Sequence, residues 1–151
     1  SNPDYCFIPF GTGNLYENIL NVVKKEVTTR NHDPRFKAKV SALKRCNFIG
    51  ATTNNPRSKA DKLYSPHLPF VHFDEQWIRL YRAEGYCGPE SNIPNLEEAY
   101  LDKALKIAES HGIDCEPRGI AGLAMLLQLK RRIPKNTKIL IVNTGKTKAP
   151  L

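Results

Sequence analysis

The chain has 151 residues, of which 40% are hydrophobic, and its formal net charge is +8. This length predicts one domain that buries about two-thirds of its unfolded surface, and the absence of a long apolar run argues against a membrane-spanning helix. The chain begins with Ser1 and its only methionine is Met125. We therefore expect residues 1–151 to be a single α/β domain cut from a longer protein.

The first half of the chain alternates between short apolar runs and a helical spacing of apolar residues. The predicted elements are a buried strand from Tyr5 to Pro9, a helix from Leu15 to about Val27, and a second apolar strand from Cys46 to Thr53. From Ser65 to Pro94 the prolines and aromatic residues follow no regular pattern, and only a short helix from Trp77 to Ala83 is predicted there. We interpret 56–94 as an insertion or a flap.

Regular patterns return in the second half. A helix is predicted from Leu96 to the stop signal at His111 and Gly112, followed by an extended piece from Ile113 to Glu116, a helix from Gly119 to about Arg132, and a last strand from Lys138 to Val142. Strands that alternate with helices predict an α/β fold: a parallel sheet in a three-layer αβα arrangement, with its ligand at the carboxyl ends of the strands.

The residues after the first strand are typical of an anion-binding loop. Gly11, Thr12, Gly13 and Asn14 interrupt an apolar run and lead into a helix, whose first N–H groups and positive dipole end attract phosphate. Asn14 and Glu17 have the spacing of an N-terminal capping pair. A tight turn with a good cap accounts for the same residues, so both interpretations stay open. Thr144 and Gly145 follow the last strand, and the two turns are expected to line one pocket.

The cysteines and histidines show no metal-site spacing, so we expect no metal. They are Cys6, Cys46, Cys87, Cys115, His32, His67, His72 and His111. Free thiols fit a reducing cytoplasm. Much of the positive charge lies between Lys24 and Lys59 without a nucleic-acid motif, which favours a solvated face over nucleic-acid binding.

Three segments, in this order, resemble the second half of the fold type II pyridoxal-phosphate enzymes, the group that contains tryptophan synthase β, threonine synthase, serine/threonine dehydratase and cysteine synthase. Ile8–Leu15 is similar to the strand and phosphate loop of the family. Leu96–Ala124 is similar to its helix, Glu-Pro-Ser-Gly-Ala motif and following helix. Ile139–Gly145 is similar to its last strand and the turn beneath the cofactor ring. The fold implied is the C-terminal part of such an enzyme.

The resemblance implies pyridoxal phosphate as cofactor and assigns its contacts. The N–H groups from Gly11 to Asn14, with the Thr12 hydroxyl, would hold the phosphate, Thr144 would bond the pyridine nitrogen, and Glu116 would lie near the ring. A neutral hydroxyl at that nitrogen favours β-elimination and replacement. The residues Thr12-Gly13-Asn14-Leu15 come closer to the threonine synthase variant. Arg118 replaces a small hydroxyl residue of the family and would either clash with the ring or bind a substrate carboxylate.

In the family, the Schiff-base lysine precedes the phosphate loop, and no lysine of this chain matches it. We therefore expect a segment of a pyridoxal-phosphate-dependent lyase or synthase for a small amino-acid substrate, inactive alone and with no catalytic residue of its own. Its expected partners are the missing N-terminal half and, through the face left exposed, a second copy in a homo-oligomer. The alternative is a non-catalytic α/β module that binds a phosphorylated small molecule or a protein partner.

Overall fold

The computed structural model describes residues 2–64 and 75–144. Its sheet has three strands, β1 (Tyr5–Pro9), β2 (Asn47–Ala51) and β3 (Ile139–Ile141), in the order β2-β1-β3. Both neighbours run parallel to β1, and Tyr5 pairs with Asn47 on one side and Ile139 on the other. The α-helices of the described residues are α1 (Asn14–Arg30), α2 (Lys37–Arg45), α3 (Glu75–Ala83), α4 (Glu98–Ser110) and α5 (Ala121–Leu129).

Helices cover both faces of the sheet, because alternate strand residues point to opposite sides. Cys6, Ile8 and Phe48 pack into one core with α1, α2 and α3. Phe7 and Ile49 pack into a second core with α4 and α5. The predicted α/β class and the three-layer arrangement around a parallel sheet are confirmed.

The bounds of the elements differ from the predicted ones except in β1. The differences are a shorter β2 and β3, an α1 that extends to Arg30, an α3 that begins at Glu75, an α4 that begins at Glu98, and an α5 that ends at Leu129 and continues as a 3₁₀ turn over Lys130–Arg132. Residues Ile113–Glu116 form no strand. Helix α2 was not predicted, because Val40 is the only buried residue among its many charged ones.

The described parts of 56–94 lie against the sheet. Parallel bridges join Ile49 to Asn92 and Thr52 to Asn95 beside β2, and the Phe48 N–H donates to Ser91 Oγ at 3.0 Å. Residues 65–74 and the turn glycine Gly145 lie outside the described residues. The interpretation of 56–94 as an insertion or flap therefore stays a prediction.

None of the helices in 2–64 and 75–144 combines the length and the apolar character needed to cross a membrane. In the same residues, no three His, Cys, Asp or Glu side chains come together as a metal site. The thiols of Cys6, Cys46 and Cys87 are buried and that of Cys115 is half-buried, all of them free.

Candidate functional site

The turn between β1 and α1 requires glycine at its last position. Gly13 is the N-cap of α1 with φ +91°, in the left-handed region. A Cβ at this position would lie 2.8 Å from Cζ of Phe10. The Phe10 ring is itself buried and packs edge-on against Tyr16, with 5.5 Å between centroids. The turn is therefore shaped by both backbone conformation and packing.

The predicted capping pair of Asn14 and Glu17 is wrong. Helix α1 begins at Asn14, its N-cap is Gly13, and no side chain caps it. The Glu17 N–H donates to the Gly13 carbonyl at 2.8 Å, so the amides of Asn14 and Leu15 have no acceptor within the helix. Because no capping side chain occupies them, these donors stay at the positive end of the helix dipole, as an anion site needs.

A second wall of the site is formed by the 3₁₀ turn Asp61–Leu63. A Cβ on Gly11 would lie 3.4 Å from the carbonyl oxygen of Lys62, so this turn lies directly beside the loop. The Lys62 Nζ is 2.9 Å from Glu116 Oε2, and the Arg118 Nε is 3.0 Å from Glu116 Oε1. Each oxygen of this carboxylate, whose side chain is 15% exposed, thus meets a cation. The three charges sum to about +1 at the rim.

The turn after β3 reaches the same edge of the sheet. The Val142 N–H donates to the Phe7 carbonyl at 2.9 Å, and the Thr144 N–H donates to the Gly119 carbonyl at 3.3 Å. A Cβ on Gly122 would lie 3.0 Å from the Phe7 oxygen, so the start of α5 packs directly on the strands. Because β1 and β3 are adjacent and parallel, the turns that follow them meet at one edge.

The predicted site residues therefore share one side of the molecule. Gly11 is linked to Glu116 through Lys62, and Thr144 is linked to the turn after Glu116 through Gly119. Thr12, Asn14 and Thr144 are exposed. Lys62 was missed, since an isolated lysine within 56–94 gives no sequence signal of its neighbours. The roles assigned to these residues stay predictions.

The donor set of this edge fits pyridoxal phosphate. The amides of Asn14 and Leu15 at the start of α1 suit a phosphate group, and the exposed Thr144 offers a neutral hydroxyl to a ring nitrogen. The Arg118 guanidinium is held at Glu116. Its position is therefore set by that carboxylate.

Comparison with solved structures identifies the fold. A threonine deaminase from T.th. superposes with a TM-score of 0.57 at 16% identity over 98% of this chain and 48% of that chain. A serine racemase from Dictyostelium discoideum gives 0.57 at 17% identity over 99% and 46%. A mutant of O-ureido-L-serine synthase with O-ureido-L-serine bound gives 0.55 at 16% identity over 96% and 40%.

This chain spans about half the length of the solved structures it matches, or less. At such identities the likeness concerns the fold alone. No protein-family model matches the chain, and no curated protein matches it by sequence. The chain therefore has the α/β fold of a part of these three enzymes, which agrees with the fold that the sequence resemblance implied.

Proposed function

We propose that the chain is a cofactor-domain segment of a cytoplasmic pyridoxal-phosphate-dependent lyase or synthase that acts on amino acids by β-elimination or replacement. The main support is the uncapped start of α1, which shares one sheet edge with Thr144 and Glu116. The names of the matched structures refer to threonine, serine and O-ureido-L-serine, which supports an amino-acid substrate. The sequence Thr12-Gly13-Asn14-Leu15 favours a threonine synthase-like enzyme.

In this proposal each part of the edge has one task. The amides from Gly11 to Asn14 and the Thr12 hydroxyl bind the phosphate, with the dipole of α1 behind them. The Thr144 hydroxyl orients the ring through its nitrogen. Glu116 lies near the ring, kept in place by its two cations. When bound, the cofactor supplies an electron sink, which a neutral hydroxyl at the nitrogen tempers.

We expect the chain alone to be inactive, because none of its lysines takes the position of the lysine that carries the cofactor in the family. An N-terminal half would supply that lysine, and a second copy would form a homo-oligomer. Analytical ultracentrifugation over a wide concentration range tests the self-association. A constant monomer mass would contradict it.

Binding of pyridoxine 5′-phosphate tests the proposal, because this probe has the ring and phosphate but no aldehyde to react with surface lysines. Calorimetric titration of the 151-residue chain is expected to show binding that inorganic phosphate displaces. Thr144→Val should weaken the binding of pyridoxine 5′-phosphate but not of phosphate. Thr12→Val should weaken both. Thr29→Val, an exposed change within α1, is the matched control and should weaken neither.

The alternative function is a module that binds a phosphorylated small molecule or a protein and performs no reaction. It is favoured by the closed arrangement of the described elements, whose two cores cover both faces of the sheet without another chain. In the same titration, equal affinity for phosphate and pyridoxine 5′-phosphate, with no effect of Thr144→Val, would favour this module. No binding of either probe would contradict the enzyme segment and the small-molecule module, and would leave only the protein-binding module.

A further inference from the structure

Residues 130–138, which we call the basic connection, join α5 to β3 and carry a concentrated positive charge. The sequence Lys-Arg-Arg-Ile-Pro-Lys-Asn-Thr-Lys has five cations and no carboxylate. All five side chains belong to exposed residues, and within 2–64 and 75–144 none of them forms a salt bridge. The Asp4 carboxylate accepts the backbone N–H of Lys138 at 2.8 Å, not its side chain.

Several cations elsewhere interact with groups of the fold. Arg30 and Lys39 pair with Glu26, and Arg35 pairs with Asp33. Lys59, Lys62 and Arg118 pair with carboxylates of the second half, and Lys24 lies over two tyrosine rings. The basic connection differs from these cations, because its five positive charges lie within nine residues that contain no carboxylate.

Strand β3, which follows the basic connection, is an edge strand of the sheet formed by residues 2–64 and 75–144, and we call its outer side the free edge. Tyr5 N–H bonds the Lys138 carbonyl and Val142 N–H bonds the Phe7 carbonyl, so the even-numbered residues face β1. In a parallel ladder the N–H and C=O groups of Ile139 and Ile141 then point away from β1. Within the described ranges, no strand pairs with that edge.

Apolar surface lies beside this edge on both faces. Ile139 is 38% exposed and Leu140 is 51% exposed. Leu140 also lines a groove of about 290 Å³ between the sheet and the helices α1 and α2, together with Cys6, Val23 and Leu43. A strand placed next to β3 would have side chains beside Leu140, at the mouth of this groove.

We propose that the free edge of β3 and the basic connection together bind an extended acidic segment of a partner protein, with apolar residues at alternate positions. The free N–H and C=O groups supply strand pairing. Leu140 and the groove take the apolar side chains, and the cations of 130–138 meet the carboxylates. A nucleic acid would use the cations but not the backbone edge, and a second copy of this basic chain would bring like charge to the same place.

The test is fluorescence anisotropy with a labelled peptide, Val-Glu-Val-Glu-Val-Glu-Glu-Glu, at low ionic strength. The triple change Lys130→Glu, Arg131→Glu and Arg132→Glu is expected to weaken binding about tenfold or more. The matched control, Lys25→Glu, Lys37→Glu and Lys106→Glu, changes the net charge equally at exposed positions of α1, α2 and α4. It should weaken binding by less than about threefold, because ions in solution screen the attraction between the peptide and charges far from the binding site.

A backbone variant tests the edge separately. Ile139→Pro removes an N–H that points away from β1 and should abolish binding, whereas Ile139→Val should preserve it. Circular dichroism checks that both variants are folded. If Ile139→Pro is unfolded, the comparison of the two triple charge variants tests the proposal instead. The proposal is overturned if the peptide does not bind or if the two triple variants behave alike. Tighter binding of an oligouridylate, or a chain dimer that Ile139→Pro dissolves, would also overturn it.

Discussion

Lys62 and Glu116 are 54 positions apart in the chain, and their side chains meet with 2.9 Å between Nζ and Oε2. Lys62 belongs to the 3₁₀ turn whose backbone lies beside Gly11, and Glu116 belongs to the segment that leads into α5. The ion pair therefore joins the loop after β1 to the turn before α5. It contributes to the shape of the candidate site more than to global stability, since a half-exposed pair is worth little.

Lys62→Met tests this interpretation. The free energy of unfolding should fall by less than about 1 kcal/mol, while hydrogen exchange should accelerate at Leu63 and Tyr64, whose amides bond carbonyls within the turn. Lys39→Met removes a comparable ion pair with Glu26 and is the control. Exchange at Leu63 that is the same in both variants would show that the Lys62 pair does not hold the turn.

Gly13→Ala should distort the start of α1. The left-handed conformation costs a non-glycine residue about 1–2 kcal/mol, and contact with the buried Phe10 ring adds about 1–3 kcal/mol. Gly112→Ala is the matched control, because Gly112 has φ +67° but no atom within 4 Å of an added Cβ. Urea unfolding should show the larger loss for Gly13→Ala, and Phe10→Leu should reduce the difference. Equal losses of unfolding free energy would mean that the Phe10 ring moves aside from the added Cβ at no cost.

The parts of the fold that were predictable are those set by short-range pattern. The buried strand Tyr5–Pro9 has alternate residues in two different cores, and its uniform apolarity is what a doubly covered parallel strand requires. The glycine turn at 11–13 was recognised from composition, and its place at a helix start follows from the same segment. The class and the position of the candidate loop could thus be inferred locally.

The remainder depends on distant contacts. Helix α2 has one buried residue, so its sequence reads as a charged stretch until Val40 is seen in the core with α1. The capping prediction failed because the N-cap is Gly13, which has a left-handed backbone and lies against the Phe10 ring, and Asn14 is already the first residue of the helix. The pairing of Lys62 with Glu116 joins two turns that only the tertiary fold brings together. No local pattern carries that information.

Tyr16→Phe should destabilise the chain although it removes one atom. The Tyr16 hydroxyl, buried in α1, donates to the Phe48 carbonyl at 2.7 Å, and burial raises the pKa of this phenol, so it remains a donor at high pH. The substitution removes a buried hydrogen bond, at a cost of about 0.5–1.5 kcal/mol in urea unfolding. Tyr100→Phe, at a half-exposed ring of α4, should change stability by less than about 0.5 kcal/mol. Similar values for the two variants would contradict this.

Alkaline pH should lower the free energy of unfolding, because two thiols are buried in the core between the sheet and the helices α1 and α2. Burial raises the pKa of the Cys6 thiol from 9.0 to about 11 and that of Cys46 to about 12. The folded chain therefore keeps protons that the unfolded chain loses, so the stabilisation is complete below about pH 9 and is lost as the pH rises through the folded values. Each thiol contributes a slope of up to about 1.4 kcal/mol per pH unit.

Urea unfolding at several pH values from about 8 to about 11 measures this slope, because this range includes the pKa of a thiol in the unfolded chain and that of Cys6 in the folded chain. Cys46→Ala should make the fall in the free energy of unfolding shallower above pH 9, because one titrating thiol is gone while the other remains. Cys115→Ala should alter the slope less. That thiol is only half-buried, so its pKa, although raised by burial, differs less between the folded and the unfolded chain. A slope that Cys46→Ala leaves unchanged would mean that other groups, such as the tyrosines, cause the alkaline loss.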